Sequence, residues 1–198
     1  MKTSIFTPFI LLLYIASSCV VHAAAMTDAQ RLHDIIETKS GVILEVIHDK
    51  TIDKLEKNSR ILAAVGGLIN FDLMAKLSMG KTGWQQLTEP QQAEYVMLFS
   101  ERVKYMYLGT LHNFTGQDIY VDPARQLSKE CIAVPSNLVN GRMKTEVLYK
   151  FYPTKQDAWL IYDIKINGVS MVQAYRSDFS SYMGRSCATG LINQLREN

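Results

Sequence analysis

The chain has 198 residues, 21 Lys and Arg against 19 Asp and Glu for a formal net charge of +2, and a hydrophobic fraction of 47%. Those proportions exclude a disordered or collagen-like chain and a disulfide-dense miniprotein. The near-neutral balance argues against a nucleic-acid binder, whose basic surplus is concentrated.

Residues 1–25 carry one charge, Lys2, then an apolar run from Ile5 to Ile15, then a small-residue end. Val21-His22-Ala23 and Ala23-Ala24-Ala25 both satisfy the small-x-small rule for signal cleavage, so 1–25 reads as an export signal and 26–198 as a single domain. A membrane anchor needs about 20 apolar residues, and Pro8, Ser17 and Ser18 interrupt this run. A lipoprotein signal ending at Cys19 is the other alternative, with Ala16 a poor match for the aliphatic residue expected three places earlier. Beyond the signal lie Cys131 and Cys187. Paired, they would close a loop of about 55 residues and stabilise by ~4 kcal/mol in the chain-entropy model. Two buried thiols are the favoured reading.

Thr27 and Gln30 form a capping-box spacing, and Leu32, Ile35, Ile36, Ile43, Val46 and Ile47 follow at helical intervals. Residues 54–69 read as a second helix with Leu55, Leu62, Val65 and Ile69 on one side. Residues 71–77 give a short third helix stopped by Gly80. Thr88 and Gln91, with Pro90 in the first turn, open a long helix bearing Val96, Phe99, Val103 and Met106. From about Gln117 the period changes to two. Strands are expected at 118–121, 129–134, 144–152 and 159–166, with turns at Asp122-Pro123, Asn140-Gly141 and Pro153-Thr154. In these, Val147, Tyr149 and Phe151 share one face, as do Leu160, Tyr162, Ile164 and Ile166. Helix returns at 177–183 and 189–196. Helices, a meandering antiparallel sheet and a closing helix make an α+β fold.

Catalytic motifs mostly dissolve. Ala75 to Thr82 satisfies a relaxed phosphate-loop pattern, but a helical stretch precedes it and only one glycine lies in the loop. His33 and His48 stand roughly 22 Å apart along one helix, and His112 ends another. No metal-ligand spacing or nucleophile elbow accompanies them, so no metal or catalytic residue is expected. Asp118 and Asp122 read as solvated strand ends. Apolar residues are in surplus instead: Leu148, Tyr152, Trp159 and Ile161 lie opposite faces that are already apolar. A sheet covered on both sides and an internal apolar pocket are the two readings.

Phe71-Asp72-Leu73-Met74-Ala75, Met79-Gly80 and Trp84 follow a phenylalanine–aspartate, methionine–alanine, glycine and aromatic pattern. Leu87-Thr88-Glu89-Pro90-Gln91-Gln92 with Phe99 comes next, then Trp159-Leu160-Ile161-Tyr162-Asp163-Ile164, Gly168-Val169-Ser170-Met171-Val172, Tyr175-Arg176 and Phe179, and finally Gly190 to Leu195. In order and spacing these stretches resemble the MlaC family, the toluene-tolerance proteins, over about Leu55 to Leu195. The Gly80–Trp84 interval is one residue longer than the family's, and the two mature cysteines fall outside its pattern.

The resemblance implies a nuclear-transport-factor-like fold, a curved antiparallel sheet and helices enclosing a bound phospholipid, with no other cofactor. It implies a periplasmic carrier in a Gram-negative bacterium, serving an Mla-type transport system that maintains outer-membrane asymmetry. Its partners would be an inner-membrane ABC transporter with an MCE-domain subunit and an outer-membrane lipoprotein–porin complex. The expected lining from the sheet is Val147, Tyr149, Phe151, Leu160, Tyr162, Ile164 and Ile166. Phe71, Met74, Phe99, Val103, Val169, Met171 and Val172 are the expected helical and late-chain walls. Tyr175 and Arg176 stand where a rim would meet the headgroup, with a helix cap or salt bridge the equal alternative for Arg176. Asp163 reads as a structural acceptor. The competing function is a hydrolase or isomerase of the same fold, which needs Asp163 or a histidine in the cavity.

Overall fold

The computed structural model describes residues 26–112, 118–156, 158–183 and 188–197. The expected signal at 1–25 and Cys187 lie outside the described residues, so the pairing of Cys131 with Cys187 does too. The Cys131 Sγ lies 3.4 Å from the Tyr162 hydroxyl.

Four helices come first. Helix α1 (Asp28–His48) starts at the expected capping box: Thr27 Oγ1 accepts from Gln30 N, and Gln30 Oε1 accepts from Thr27 N at 2.9 Å. Helix α2 (Lys54–Gly66) is capped by Asp53, which accepts from Glu56 N at 2.8 Å. It ends three residues before the expected boundary, because residues 68–70 leave the helix to bond with a strand. Helix α3 (Phe71–Gln85) opens at Asn70, whose Oδ1 accepts from Leu73 N. Gly80 does not stop it; the chain kinks there, at φ 75° and ψ 163°, and resumes helix to Gln85. Helix α4 (Glu89–His112) begins at the second expected cap, where Thr88 N donates to Gln91 Oε1 at 2.9 Å.

The Gly80 kink gives one expected result. A Cβ there would stand 3.5 Å from the Arg176 guanidinium, ordinary contact, so the cost of Gly80→Ala is conformational rather than steric. At ψ 163° the position lies in a region essentially reserved for glycine, where another residue costs about 1–3 kcal/mol. Thermal unfolding should therefore move down by roughly 2–12 °C; an unchanged midpoint would mean the kink relaxes into ordinary helix.

Six strands form one antiparallel sheet in the order β1-β3-β4-β5-β6, with β2 also pairing to β3. They are β1 (Asp118–Val121), β2 (Arg125–Ser128), β3 (Cys131–Asn140), β4 (Met143–Pro153), β5 (Trp159–Ile166) and β6 (Val169–Ser170). Two helices follow, α5 (Met171–Met183) and α6 (Ala188–Glu197). The fold is α+β, as the sequence indicates.

Strand β3 runs past its expected end and passes through Pro135. Strands β1 and β2 share its outer edge: β1 pairs with residues 136–139 and β2 with 131–133. The Pro135 carbonyl points to that edge, accepting from Asp122 N at 2.9 Å. Its nitrogen points the same way, into the gap between β1 and β2, so the missing N–H costs no bond to β4.

Strand β5 carries a bulge. Lys150 pairs with Asp163 but Phe151 pairs with Ile161, which leaves Tyr162 extra. The expected common face of Leu160, Tyr162, Ile164 and Ile166 is therefore split. Ile161, Ile164 and Ile166 share the face of Phe151, Tyr149 and Val147, whereas Leu160 and Tyr162 turn to the other side with Tyr152, whose ring meets that of Tyr162 edge-on.

The first face, with Ile132, Val134 and Leu138 from β3, joins the main core. Helices α1, α2 and α4 cross it. A second centre lies among α3, α4, α5 and α6, built on Trp84, Tyr95, Phe99, Tyr175 and Phe179 in successive ring contacts. The other sheet face keeps Leu148, Tyr152, Leu160 and Tyr162 only half-buried. The apolar surplus on that face is amphipathic surface, and open space in the fold lies on the opposite face.

Candidate ligand cavity between the first helices and the sheet

Two cavities of about 20 Å³ each adjoin beneath the C-terminal end of α2. Val65, Ile69, Tyr107 and Ile164 border both. The first reaches toward α1, where Ile36, Lys39, Ser40 and Ile43 form its wall, and is floored by Tyr149, Ile161 and Ile164 of the sheet. The second reaches toward α4 and is closed by Leu62, Gly66, Phe71, Val103 and Lys104. Local sequence explains each contributor. Ile36 and Ile43 are seven residues apart on α1, Leu62 and Val65 three apart on α2, and Val103 and Tyr107 four apart on α4, so each helix turns one stripe to the sheet. Residues 68–70 are stitched to β5: Ile161 N donates to Leu68 O at 2.7 Å and Asn70 N to Ile161 O at 2.9 Å. That stitch places Ile69 in both walls.

The lining is apolar with a few polar groups. Burial pushes the Tyr107 hydroxyl well above the usual phenol range, with Tyr149 adding to the shift. Burial likewise raises Tyr149, against the opposing influence of Ser136 and Tyr107. Both phenols therefore stay neutral at every physiological pH. The Ser136 hydroxyl, near Tyr149 on the same face, is buried without a hydrogen bond of proper geometry. Two lysines stand at the margins. Lys104 bonds Glu101 at 2.7 Å and lies 5.5 Å from the Phe71 ring centre. Lys39 is half-buried and makes no ion pair with a described carboxylate. Among the described residues, the cavity walls hold no carboxylate, histidine or cysteine.

A third space, a surface groove of about 170 Å³, lies between α4 and α5 beside β6. Met106, Ile166, Val169, Met171, Ala174, Tyr175 and Asp178 line it. The Tyr175 hydroxyl points at Met106 Sδ, 2.7 Å away.

The residues expected to line a pocket thus divide. Phe71, Val103, Tyr149 and Ile164 border the cavities. Ile166, Val169, Met171 and Tyr175 border the surface groove instead. Met74, Phe99, Val147, Phe151 and Val172 are closed into the packed core. Leu160 and Tyr162 face away on the far side of the bulge. Arg176 is exposed, its guanidinium set against the Gly80 kink, and borders none of these spaces. The walls from α1 and α2 and the connector at Leu68 and Ile69 were not anticipated. Their apolar stripes were visible in the sequence, but nothing there showed which sheet face they would meet.

Asp163 is a structural acceptor, as its sequence context suggests. It is 5% exposed and accepts from Ser170 Oγ through both oxygens, at 2.8 and 2.9 Å, and from Val172 N at 3.3 Å. Lys150 Nζ stands 3.8 Å away. His33, Asp34 and Glu37 bring ligand atoms within 4.8 Å of one another on α1. His33 Nδ1 bonds Asp34 Oδ1 at 3.1 Å, and that bond is the main reason its pKa is raised. Both carboxylates are exposed and solvated, so the cluster is a surface ion pair. No described helix is long and apolar enough to cross a membrane.

Residues 37–197 match the family model described as MlaC protein. A solved structure described as the phospholipid-binding protein from Ralstonia solanacearum in complex with a phospholipid superposes with a TM-score of 0.73 at 23% identity. The match covers 86% of this chain and 96% of that one, and at such identity it establishes the fold. No curated protein matches the sequence.

Proposed function

The chain belongs to the MlaC family, and from that premise we propose that it is a phospholipid carrier of the periplasm, a binding and transport protein rather than an enzyme. The observation that carries this reading is the apolar space between α1, α2, α4 and one sheet face, together with the structural likeness to a protein solved with a phospholipid bound. Residues 1–25 direct export and are removed. The mature domain moves lipid between an outer-membrane lipoprotein–porin complex and an inner-membrane ABC transporter with an MCE-domain subunit, in the service of outer-membrane asymmetry.

Physical chemistry supports the assignment. Each buried CH₂ is worth about 0.8 kcal/mol, so two acyl chains gain on the order of 20 kcal/mol by leaving water. Membrane and pocket are both apolar, so their energies nearly cancel and exchange runs in either direction. The hydrolase or isomerase alternative requires an acid–base pair in the cavity, and Asp163 is instead committed to the start of α5.

Cavities of about 20 Å³ are the size of a single water, whereas drug-sized ligands occupy roughly 300–1,000 Å³. Loading therefore requires the walls to part, and α2, which contributes Val65 to both cavities, is the wall with the weakest hold. Only Ile61 of that helix is fully buried. Gly66 and Gly67 end it, and its hold at the start includes the bond from Lys57 Nζ to Ile47 O at 2.7 Å.

Residues 26–198, expressed without the leader and purified without detergent, are expected to yield phospholipid on solvent extraction and mass spectrometry. A lipid-free preparation that also takes up nothing from phospholipid vesicles would refute the carrier reading.

A further inference from the structure

Two cations border the cavities, and they are not equivalent. Lys104, on α4, already has Glu101 as a counter-ion and the Phe71 ring beneath its ammonium. Lys39, on α1, lines the other cavity half-buried, among Ile36, Ile43 and Leu68, with no described carboxylate paired to it. An ammonium at the margin of an apolar cavity, with no described carboxylate paired to it, is placed to meet the anionic group of a ligand. The lysine stem suits the position, since its methylenes lie along an apolar wall while the charged end reaches the opening. We propose that Lys39 receives the phosphate of the bound lipid, which places the headgroup at the opening between α1 and α2.

This assignment rests on the carrier reading and adds to it. It moves the headgroup from Tyr175 and Arg176, expected from sequence, to a different part of the molecule. The Tyr175 ring packs on Phe99 and Phe179 and its hydroxyl meets Met106 in the separate surface groove, while Arg176 lies at the Gly80 kink, so neither borders the two cavities. A compact ammonium is a point charge that accepts phosphate without demanding one orientation, so selectivity among headgroups would be slight. What Lys39 would discriminate is a lipid with a phosphate from one without.

The test compares dioleoylphosphatidylglycerol vesicles with dispersions of dioleoylglycerol, which has the same chains and no phosphate. The protein is residues 26–198, and retained lipid is measured after gel filtration. Wild type should retain about tenfold more of the phosphate-bearing lipid, the size of one charge-assisted contact. Lys39→Met should bring retention of the two lipids to the same level. Lys39→Arg should preserve it, and Lys104→Met should not alter it.

If Lys39→Met keeps the preference, or Lys104→Met is the variant that loses it, the assignment to Lys39 is wrong while the carrier reading stands. If wild type retains neither lipid, the carrier reading itself fails. Inorganic phosphate is the control for a free-ion site. Lys39-dependent binding of phosphate by lipid-free protein, undisturbed by added lipid, would overturn the headgroup assignment.

Discussion

Phe99→Ala is expected to be the most damaging single truncation in the fold, costing about 4 kcal/mol. Phe99 has no solvent exposure. Its ring stacks on Tyr95 with centroids 6.0 Å apart and meets Tyr175 edge-on at 5.2 Å. Tyr95 is itself tied to α3 through its hydroxyl, 2.9 Å from Ser78 Oγ, and its burial raises the phenol pKa far enough that the hydroxyl stays neutral. Removing the central ring leaves a void that three helices cannot close together. For a domain of this size the thermal midpoint should fall by roughly 8–16 °C, measured by circular dichroism. Phe99 borders neither cavity, so lipid retained per folded molecule should be unchanged at low temperature. A small thermal effect with lost lipid would instead make Phe99 a pocket wall.

Asp163→Ala should be nearly as severe, at about 3–4 kcal/mol, for an electrostatic reason. The carboxylate stands at the N-terminus of α5, where it accepts from Val172 N and holds the Ser170 hydroxyl through both oxygens. Ser170 Oγ in turn accepts from Gln173 N at 3.1 Å, capping the helix. Truncation leaves a buried hydroxyl and amide without their acceptor and strips Lys150 of its counter-charge, each with a desolvation cost of about 1–3 kcal/mol. Asp163→Asn keeps an acceptor in place and should recover about half the loss. Urea denaturation of the three proteins would measure this. Equal losses for the two variants would show that negative charge at the helix start matters more than the hydrogen bonds.

The sequence was most legible where side chains act on their own neighbourhood. The spacings Thr27–Gln30 and Thr88–Gln91 mark helix starts to within a residue, because a capping box is a local contract between side chain and backbone. A third such spacing, Ser170–Gln173, went unread, and α5 was expected six residues late in consequence. Strand β5 was bounded correctly, yet its faces were misassigned, because counting by two cannot reveal an extra residue such as Tyr162. The expected strand 129–134 stops short of Pro135, which β3 tolerates because β1 and β2 leave a gap beside it. Strand β2, Arg-Gln-Leu-Ser, is wholly exposed and carries no alternation at all.

The candidate site was harder to read for a related reason. Tyr149, Ile164, Phe71 and Val103 were identified, but seven of the sixteen wall residues belong to α1 and α2. A stripe such as Ile36 and Ile43 declares that a helix is half-buried without naming its partner. Lys39 gave no signal in sequence. Its significance comes from being placed beside an apolar space with no described carboxylate in reach.

The divided outer edge of β3 bears on how such a protein survives its work. Its long strands, β3, β4 and β5, are bounded by short ones: β1 and β2 have four residues each on one side and β6 has two on the other. The remaining edge of β5 is taken up by Leu68 and Asn70. A sheet finished in short, interrupted pieces gives another chain little to pair with. On the proposed carrier reading, a domain that loads and releases lipid can then open without its backbone seeding aggregation.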